Sequence, residues 1–412
     1  MIKSITLSLL TLGLSLGSFA QSQKCASHVI HNKKMSEDVA YQTRRMAIES
    51  QVASAPSSAR KTATVYTIPM VVHVIHNGET EGSGTNISDA QIQSAVIALN
   101  KDFRMENSDS LTPSHPFYNL SADVELEFCL AKKDPSGQAT TGITRTNRGQ
   151  ADWEANLFDS IVKPATIWDH TKYLNVWVVT IGGVDAGTLG YASFPGAPDT
   201  TDGVVIGTTF FGTTGNVSQG FDLNRTFTHE VGHYLNLYHI WGDETCGDDE
   251  VADTPTAQQD NSGCPSFPHN VSSACSPGSN GEMYMNYMDY TDDACMNLFT
   301  LGQKTRMRAA IEGPRVSLTT SDACNNPTSA AAISASAAKV FPNPTTELVT
   351  VNSGTDAVVN LAIYDLSGAQ VFAGVTTGAN TVVNVTAFQA GNYIVVLSSE
   401  AGIVQKSLTV IK

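Results

Sequence analysis

The sequence His-Glu-Val-Gly-His-Tyr-Leu-Asn-Leu-Tyr-His, residues 229–239, gathers three histidines and a glutamate in one short stretch. In a helix, His229 and His233 lie one turn apart on the same face. If that helix continued, ten residues at about 1.5 Å each would carry His239 roughly 15 Å from His229. That is too far for a shared metal ion held at about 2.1 Å. The chain must therefore turn, and we place the turn at Asn236, because Asn readily adopts the left-handed backbone that ends a helix.

Three imidazoles at this spacing predict a catalytic zinc site. Structural zinc sites close all four coordination positions, whereas three histidines leave one position for water. Glu230 follows the first histidine, so we expect its carboxylate to take the proton of that water. A lone histidine here would more often be a core residue, but this set of four residues is not explained that way.

The same segment resembles the metzincin signature, His-Glu-x-x-His-x-x-Gly-x-x-His. Asn236 stands at the glycine position of that signature. Because the position requires left-handed backbone, Asn adds a little strain and should keep the geometry.

The N-terminal part of the chain predicts export and latency. Residues 1–20 have a lysine, an apolar run and a small-x-small end, which is typical of a signal peptide. Residues 21–59 are polar and predict a removable pro-peptide with a short helix over 36–52. Cys25 within it is a candidate zymogen switch, since a thiolate would fill the open zinc position. The alternative is an incidental cysteine.

Composition limits the partners. The formal net charge of −15 over 412 residues, without a basic block, argues against nucleic acid and anionic membranes. No later run is long and apolar enough to predict a transmembrane segment. The chain has seven cysteines. An odd count in a secreted protein leaves one over, so removal of Cys25 with the pro-peptide would leave six for three disulfides.

Residues 60–326 predict an α/β domain with a twisted mixed sheet and the zinc helix. Strands are expected at 65–75, 124–131, 174–181 and 203–211, and a helix is expected from Ser88. Residues 189–192 are expected to form a short edge strand above the cleft. In metzincins such a strand pairs with extended substrate, although any edge strand would look the same from sequence.

The stretch after His239 is acidic and rich in turns. Its carboxylates suit calcium, which takes six to eight oxygens. A solvated acidic loop is the alternative, since no EF-hand spacing is present.

Asn-Tyr-Met-Asp-Tyr at 286–290 resembles the metzincin Met-turn. From the residues alone, Met288 is a core residue. By resemblance Met288 forms an apolar floor under the zinc ligands, and Tyr290 donates a hydrogen bond to the oxyanion.

Within metzincins the chain resembles the pappalysin family. The resemblance covers about residues 60–325 and rests on Ile-Pro leading to Val-Val-His-Val-Ile-His at 68–76, Tyr238 and Trp241 around the third histidine, Asp-Thr-Pro at 253–255, and Met-Asn-Leu-Phe-Thr at 296–300. The resemblance implies bound calcium, with Asp248, Asp249 and Asp253 as candidate ligands.

The disulfides implied by that resemblance pair Cys246 with Cys275 and Cys264 with Cys295. Cys129 is then left with Cys324 by subtraction.

The pappalysin resemblance also implies a preference for Arg or Lys just after the scissile bond. Asp293 is our candidate for the acidic base of that pocket, and Asp292 is the alternative. The alternative is that either aspartate is an exposed residue without a role in specificity. Ala59-Arg60 fits the same preference, so the enzyme could cut its own pro-peptide there.

Residues 327–338 are small and without period, which indicates a linker. Residues 339–412 alternate strands and turns and predict a small antiparallel β-sandwich. Its Pro-Asn-Pro opening, Gly-Asn-Tyr strand and lysine-containing terminus resemble the C-terminal sorting domain of the type IX secretion system. That implies export through the periplasm to the surface or medium, with the secretion machinery as partner. The alternative is a carbohydrate or adhesion module of the same architecture.

Together these features predict a secreted zinc endopeptidase acting on proteins or peptides. One alternative is an adhesive surface protein with an inactive protease fold, which the intact Glu230 disfavours. Another is a gluzincin-type peptidase with a glutamate as third ligand, which the Met-turn disfavours.

Overall fold

The structure is a computed structural model that describes residues 24–54, 64–271, 275–326, 336–355, 359–376, 378–399 and 402–412. The predicted signal peptide, residues 1–20, and the Ala59-Arg60 cleavage site lie outside these residues. Within them, no helix is long and apolar enough to cross a membrane.

The chain forms two compact units. The first contains the described residues within 1–129 and 143–320, and the second contains those within 130–142 and 321–412. The second unit therefore includes a short segment, residues 130–142, that lies within the predicted protease domain, residues 60–326. The two units are described separately.

The predicted pro-peptide forms two helices of the first unit rather than one. Helix α1 is Ser27–Glu37 and helix α2 is Val39–Ala53. Asp38 separates them, because its extended backbone interrupts the helix and its side chain accepts a hydrogen bond from Tyr41 N.

The first unit is built on a mixed sheet in the order β2-β1-β4-β6-β5, with β3 also paired to β1. The strands are β1 Tyr66–His76, β2 Leu126–Leu130, β3 Ile143–Asn147, β4 Leu174–Val179, β5 Gly190–Ala192 and β6 Val204–Gly207. Strand β1 pairs parallel with β3 and with β4, β4 pairs parallel with β6, and β5 pairs antiparallel with β6 at the edge. The predicted mixed sheet is confirmed.

Buried apolar runs explain the central strands. Val71, Val72 and Val74 of β1 are 0% exposed, and so is all of β4 apart from its last residue. Strands buried on both faces need such continuous apolar runs. Strand β3 was not predicted, because Ile-Thr-Arg-Thr-Asn is polar and only partly buried.

The remaining helices of this unit follow the strands in the chain, and α6 carries the first two histidines of the motif. They are α3 Asp89–Phe103, α4 Ala155–Leu157, α5 Lys163–Thr166, α6 Arg225–Tyr234 and α7 Leu301–Glu312. A π-helical turn, Phe158–Val162, joins α4 to α5. Ser88 caps α3 as expected, since its hydroxyl accepts from Gln91 N.

The second unit contains two antiparallel sheets. Their orders are β10-β9-β12-β13 and β11-β8-β7. The strands are β7 Lys339–Phe341, β8 Leu348–Asn352, β9 Asn360–Asp365, β10 Gln370–Val375, β11 Asn380–Asn384, β12 Gly391–Ser399 and β13 Gly402–Val410. Residues of both sheets, including Val351, Ile363 and Val395, share one buried core. This is the sandwich predicted for residues 339–412.

Candidate active site

Helix α6 carries the first two histidines, and the chain turns back immediately after it. Asn236 has a φ of 78°, the left-handed conformation expected from the sequence. Leu237 N donates to Gly232 O at 3.0 Å, which closes the turn. The turn returns His239 to the side of the helix that bears His229 and His233.

The three histidines converge on one point. Their Nε2 atoms lie 3.0 Å apart for His229 and His233, 3.1 Å for His233 and His239, and 3.2 Å for His229 and His239. All three side chains are buried, at 4% exposure or less.

The other ring nitrogen of each histidine is fixed by an oxygen that accepts its proton. His229 Nδ1 donates to Tyr287 O at 2.7 Å, and His233 Nδ1 donates to Leu237 O at 2.7 Å. Asp243 Oδ1 accepts from the Nδ1 of His239 at 2.5 Å.

Each Nε2 is therefore an unprotonated acceptor, and burial lowers the pKa of His229 to about 4, which keeps that ring neutral. Three lone pairs that face one another cannot hydrogen bond, so the donor set fits a cation with affinity for imidazole. Zinc is such a cation.

Cys25 is the fourth member of this group. The ligand atoms of Cys25 and the three histidines all lie within 4.8 Å of one another. Its side chain is buried and is the free cysteine of the chain, whereas the other six are disulfide-bonded. Burial, followed by the charge of Glu230, raises the pKa of the thiol. A cation at the histidines would act in the opposite direction and favour the thiolate.

Glu230 is fully buried beside the histidines. Its Oε2 accepts from Ser27 Oγ at 2.7 Å, while Oε1 has no partner among the described residues. Burial raises the pKa of this carboxyl group to about 8. The Ser27 hydroxyl therefore occupies one oxygen of the carboxylate that the sequence predicts as the general base. Sequence reasoning missed this contact, because Ser27 lies some 200 residues away in the chain.

Met288 lies directly under the helix, as the Met-turn resemblance implies. A Cβ at Gly232 would come within 2.5 Å of Met288 Sδ, so only glycine allows this approach. The Tyr290 ring lies 4.9 Å from that of His239, and its hydroxyl donates to Cys25 O at 3.2 Å.

The edge strand β5 pairs with residues 24–27, which belong to the predicted pro-peptide. Leu189 N donates to Lys24 O at 2.7 Å, and Ala26 N donates to Gly190 O at 3.2 Å. Ser27 Oγ also accepts from Ala192 N at 2.7 Å. The strand predicted to hold substrate by backbone pairing thus holds residues 24–27 in this structure.

The side chain of Lys24 enters a neighbouring cavity lined by acidic residues. Its Nζ donates to Tyr290 O at 2.7 Å and lies 3.9 Å from Asp292 Oδ1. Asp289 and Asp293 line the same cavity. Asp293 is 2% exposed, and its Oδ2 accepts from the backbone N–H groups of Leu223 and Arg225 at the start of α6.

The three acidic residues suggested as calcium ligands do not converge. Asp253 accepts from Thr300 Oγ1 and Gly302 N, which places it at the start of α7. Asp248 accepts from Glu250 N. Among the described residues, no group of three potential ligands contains them.

Asp249 has a separate set of oxygen neighbours. Both of its carboxylate oxygens lie 2.8 Å from Thr254 Oγ1, which is also 2.7 Å from Val251 O.

Disulfides hold the loops between the turn and the last helix. The structure joins Cys246 to Cys275 and Cys264 to Cys295, the two pairs implied by the resemblance. Cys129 and Cys324 are also disulfide-bonded, and their pairing with each other stays a prediction.

The fold and this site define a metzincin-type metalloendopeptidase. A sheet with an antiparallel edge strand, a helix ending in a left-handed turn, and a Met-turn place three neutral imidazoles beside one buried glutamate.

Comparison with known proteins gives the family. The peptidase M43 model, described as pregnancy-associated plasma protein-A, matches residues 156–312, and the secretion system C-terminal sorting domain matches residues 339–412. An extracellular metalloprotease of Arthroderma otae is 33% identical over 271 residues, 64% of this chain and 84% of that protein.

Solved structures of mirolysin are also similar to this chain. Mature mirolysin of Tannerella forsythia in complex with a cleaved peptide is 44% identical, with a TM-score of 0.58, over 64% of this chain and 98% of that one. A mutant of promirolysin from the same organism is 40% identical, with a TM-score of 0.63, over 72% of this chain and 97% of that one.

The chain belongs to the M43, or pappalysin, family of metalloendopeptidases. Its sorting domain and its extracellular relatives show that it is secreted to the cell surface or the extracellular space. The adhesive and gluzincin alternatives are not supported, because the relatives are metalloproteases and the third histidine joins the other two.

Proposed function

We propose that the chain is made as a latent zinc endopeptidase whose pro-segment blocks the site until residues 21–59 are removed. The observation that carries this proposal is the position of Cys25, whose thiol lies among the three histidines. Ser27 adds to it by holding Glu230, the catalytic base, at 2.7 Å. A single short segment therefore engages both the metal ligands and the base.

The mature site then needs only residues already in place. His229, His233 and His239 would hold the zinc ion, which would supply Lewis acidity to polarise the peptide carbonyl and acidify water. Glu230, released from Ser27, accepts the proton of the attacking water and passes it to the leaving amine. Tyr290, released from Cys25 O, donates its hydroxyl hydrogen bond to the carbonyl oxygen as negative charge develops there.

The similarity to a pro-form supports this proposal. Promirolysin covers 72% of this chain and mature mirolysin covers 64%, a difference of 8% of 412 residues, or about 33. That number is close to the length of the described pro-segment, residues 24–54.

The specificity proposal is a preference for Arg or Lys just after the scissile bond. Lys24 supports it, since a side chain of that class already occupies the cavity lined by Asp289 and Asp293. Burial lowers the pKa of the Lys24 ammonium, while Asp292 opposes that effect. Asp293 is the proposed determinant, with Asp292 as the alternative, and the same preference would allow self-cleavage between Ala59 and Arg60.

We also propose one structural calcium ion near Asp249. The carboxylate, Thr254 Oγ1 and Val251 O form a compact oxygen set, and burial raises the pKa of Asp249 to about 7. A divalent cation would stabilise the ionised form of this buried group. Asp248 and Asp253 are retained as candidate ligands. Calcium addition to the chelated protein should raise its melting temperature, and Asp249→Asn should reduce that rise.

For the C-terminal unit, we propose the type IX secretion machinery as the partner that recognises residues 339–412. Deletion of these residues should leave the protein in the periplasm with its protease activity intact.

Maturation of the full-length precursor tests latency. Cys25→Ala should mature faster than wild type, and Glu230→Ala should not mature without added protease. A chelator should abolish peptide cleavage by the mature enzyme. Equal maturation rates for wild type and Cys25→Ala would overturn the cysteine switch.

A peptide library tests specificity. Wild type should cleave before Arg or Lys, and Asp293→Asn should lose more of this preference than Asp292→Asn. Cleavage of wild type before other residues would remove the pocket argument.

A further inference from the structure

The second pro-segment helix, α2, docks through a face built around a buried charge. Tyr41 and Arg45 are 1% exposed and Ile48 is 8% exposed. These positions lie on one side of the helix. Arginine is almost never fully buried without a partner, so the contacts of Arg45 determine what this face recognises.

Arg45 and Glu49, one turn apart, bind the turn that carries the third histidine. Arg45 Nη1 donates to Asn236 Oδ1 at 2.7 Å, and Arg45 Nη2 donates to Tyr238 OH at 3.0 Å. Glu49 Oε1 accepts from Asn236 Nδ2 at 3.1 Å, and Glu49 Oε2 accepts from Arg306 Nη2 at 2.7 Å. Arg45 and Glu49 also pair with each other at 2.5 Å.

Both ends of the Asn236 amide are therefore bound by pro-segment residues. The backbone of this position needs only a left-handed conformation, which glycine adopts without strain. Arg306 Nε supports the turn independently, because it donates to Asn236 O at 2.7 Å. The amide of Asn236 thus contributes hydrogen bonds to the pro-segment that a glycine could not make.

We propose that Asn236, Tyr238 and Arg306 form a docking surface for helix α2 that holds the pro-segment independently of the metal. This inference rests on the proposed latency. Its occupant is α2 of the same chain, whose Arg45 and Glu49 match the amide and the guanidinium of the surface. The pro-segment then stays bound after Cys25 leaves the histidines and after the chain is cut within residues 55–63.

The test uses the full-length chain with Glu230→Ala, which prevents self-cleavage, and a site for an unrelated sequence-specific protease placed within residues 55–63. After cutting, gel filtration measures how much pro-segment co-elutes with the rest of the chain. Dilution of protein with a labelled pro-segment gives the rate at which the pro-segment dissociates. With Cys25→Ala alone, we expect the cut pro-segment to co-elute.

Adding Glu49→Gln to Cys25→Ala should accelerate dissociation at least about 30-fold, because two guanidinium groups lose their shared carboxylate. Asn236→Gly should act in the same direction. Arg44→Gln is the matched control, since it also removes one charge from α2, and the side-chain hydrogen bond of this exposed arginine among the described residues goes to Gly196 O, outside the docking surface. It should behave like Cys25→Ala alone. Circular dichroism and zinc content before cutting show that each variant has folded.

Loss of the pro-segment from Cys25→Ala would show that the thiol alone holds it and would overturn the inference. Equal dissociation for Glu49→Gln and Arg44→Gln would also overturn it, since apolar contacts would then suffice. Failure of the latency proposal is distinguishable: wild-type precursor would be as active as the cut and released enzyme, whereas the binding measurement needs no activity.

Discussion

Asp243 should set the affinity of the metal centre, and it is the one partner of a ligand histidine that mutation can remove. His229 and His233 donate to backbone carbonyls, whereas His239 Nδ1 donates to the Asp243 carboxylate at 2.5 Å. This bond fixes the tautomer and the orientation of the third imidazole. Asp243→Asn keeps an acceptor oxygen and removes the charge, and Asp243→Ala removes the acceptor as well.

The structure also separates the two variants by backbone strain. Asp243 has a φ of 59°, a conformation that Asn tolerates better than Ala. Loss of such an outer partner reduces metal affinity about 10- to 100-fold, equivalent to about 1.4 to 2.8 kcal/mol. We expect Asp243→Asn near the lower limit and Asp243→Ala near the upper one.

The assay is zinc competition against a chelator of known affinity, on the mature enzyme so that His28 of the pro-segment does not contribute. Glu244→Gln is the control, because it removes one charge from the next residue, which is exposed. Turnover of a peptide at saturating zinc shows whether orientation matters beyond affinity. Wild-type zinc affinity in Asp243→Ala would refute the reasoning.

Three further predictions concern buried contacts. Gly232→Ala should destabilise the protein by about 1–3 kcal/mol in urea unfolding, since the added methyl meets Met288 Sδ; an unchanged midpoint contradicts this. Ser27→Ala should destabilise the precursor by about 1–3 kcal/mol by removing the hydroxyl that donates to Glu230 Oε2, and the mature enzyme, which lacks that residue, should match wild type. Burial lowers the pKa of His73 to about 4. The unfolded chain then binds this proton first, so His73 should contribute a fall of about 3 kcal/mol in the free energy of unfolding as the pH drops from 6.5 to 4. In His73→Gln the free energy of unfolding should fall less over this pH range. A pH dependence identical to that of wild type would show that His73 does not contribute to it.

Local sequence predicted the parts of the site that depend on short-range geometry. His229 and His233 follow from helical spacing, and the turn at Asn236 follows from the distance a straight helix would impose. The edge strand at 189–192 and the central strands were also predicted, because buried strands need apolar runs.

The contacts that complete the site were not predictable from spacing. Asp243 was missed as the partner of His239, since a carboxylate in an acidic loop fits calcium equally well by composition. Ser27 on Glu230, and Arg45 on Asn236, join positions separated by about 200 residues. Only the folded sheet and the docked helices bring them together. The sequence predicted a cysteine switch in the pro-segment. It did not predict the contacts of α2 with the docking surface formed by Asn236, Tyr238 and Arg306.

The two disulfides of the loop region overlap along the chain, since Cys264 lies between Cys246 and Cys275, and Cys275 lies between Cys264 and Cys295. One break anywhere from residue 247 to residue 294 therefore leaves the two pieces joined by at least one sulfur bridge. This span contains Met288 and Tyr290. A secreted protease that is nicked here, by a neighbour or by another copy of itself, keeps Met288 and Tyr290 tethered to the rest of the chain.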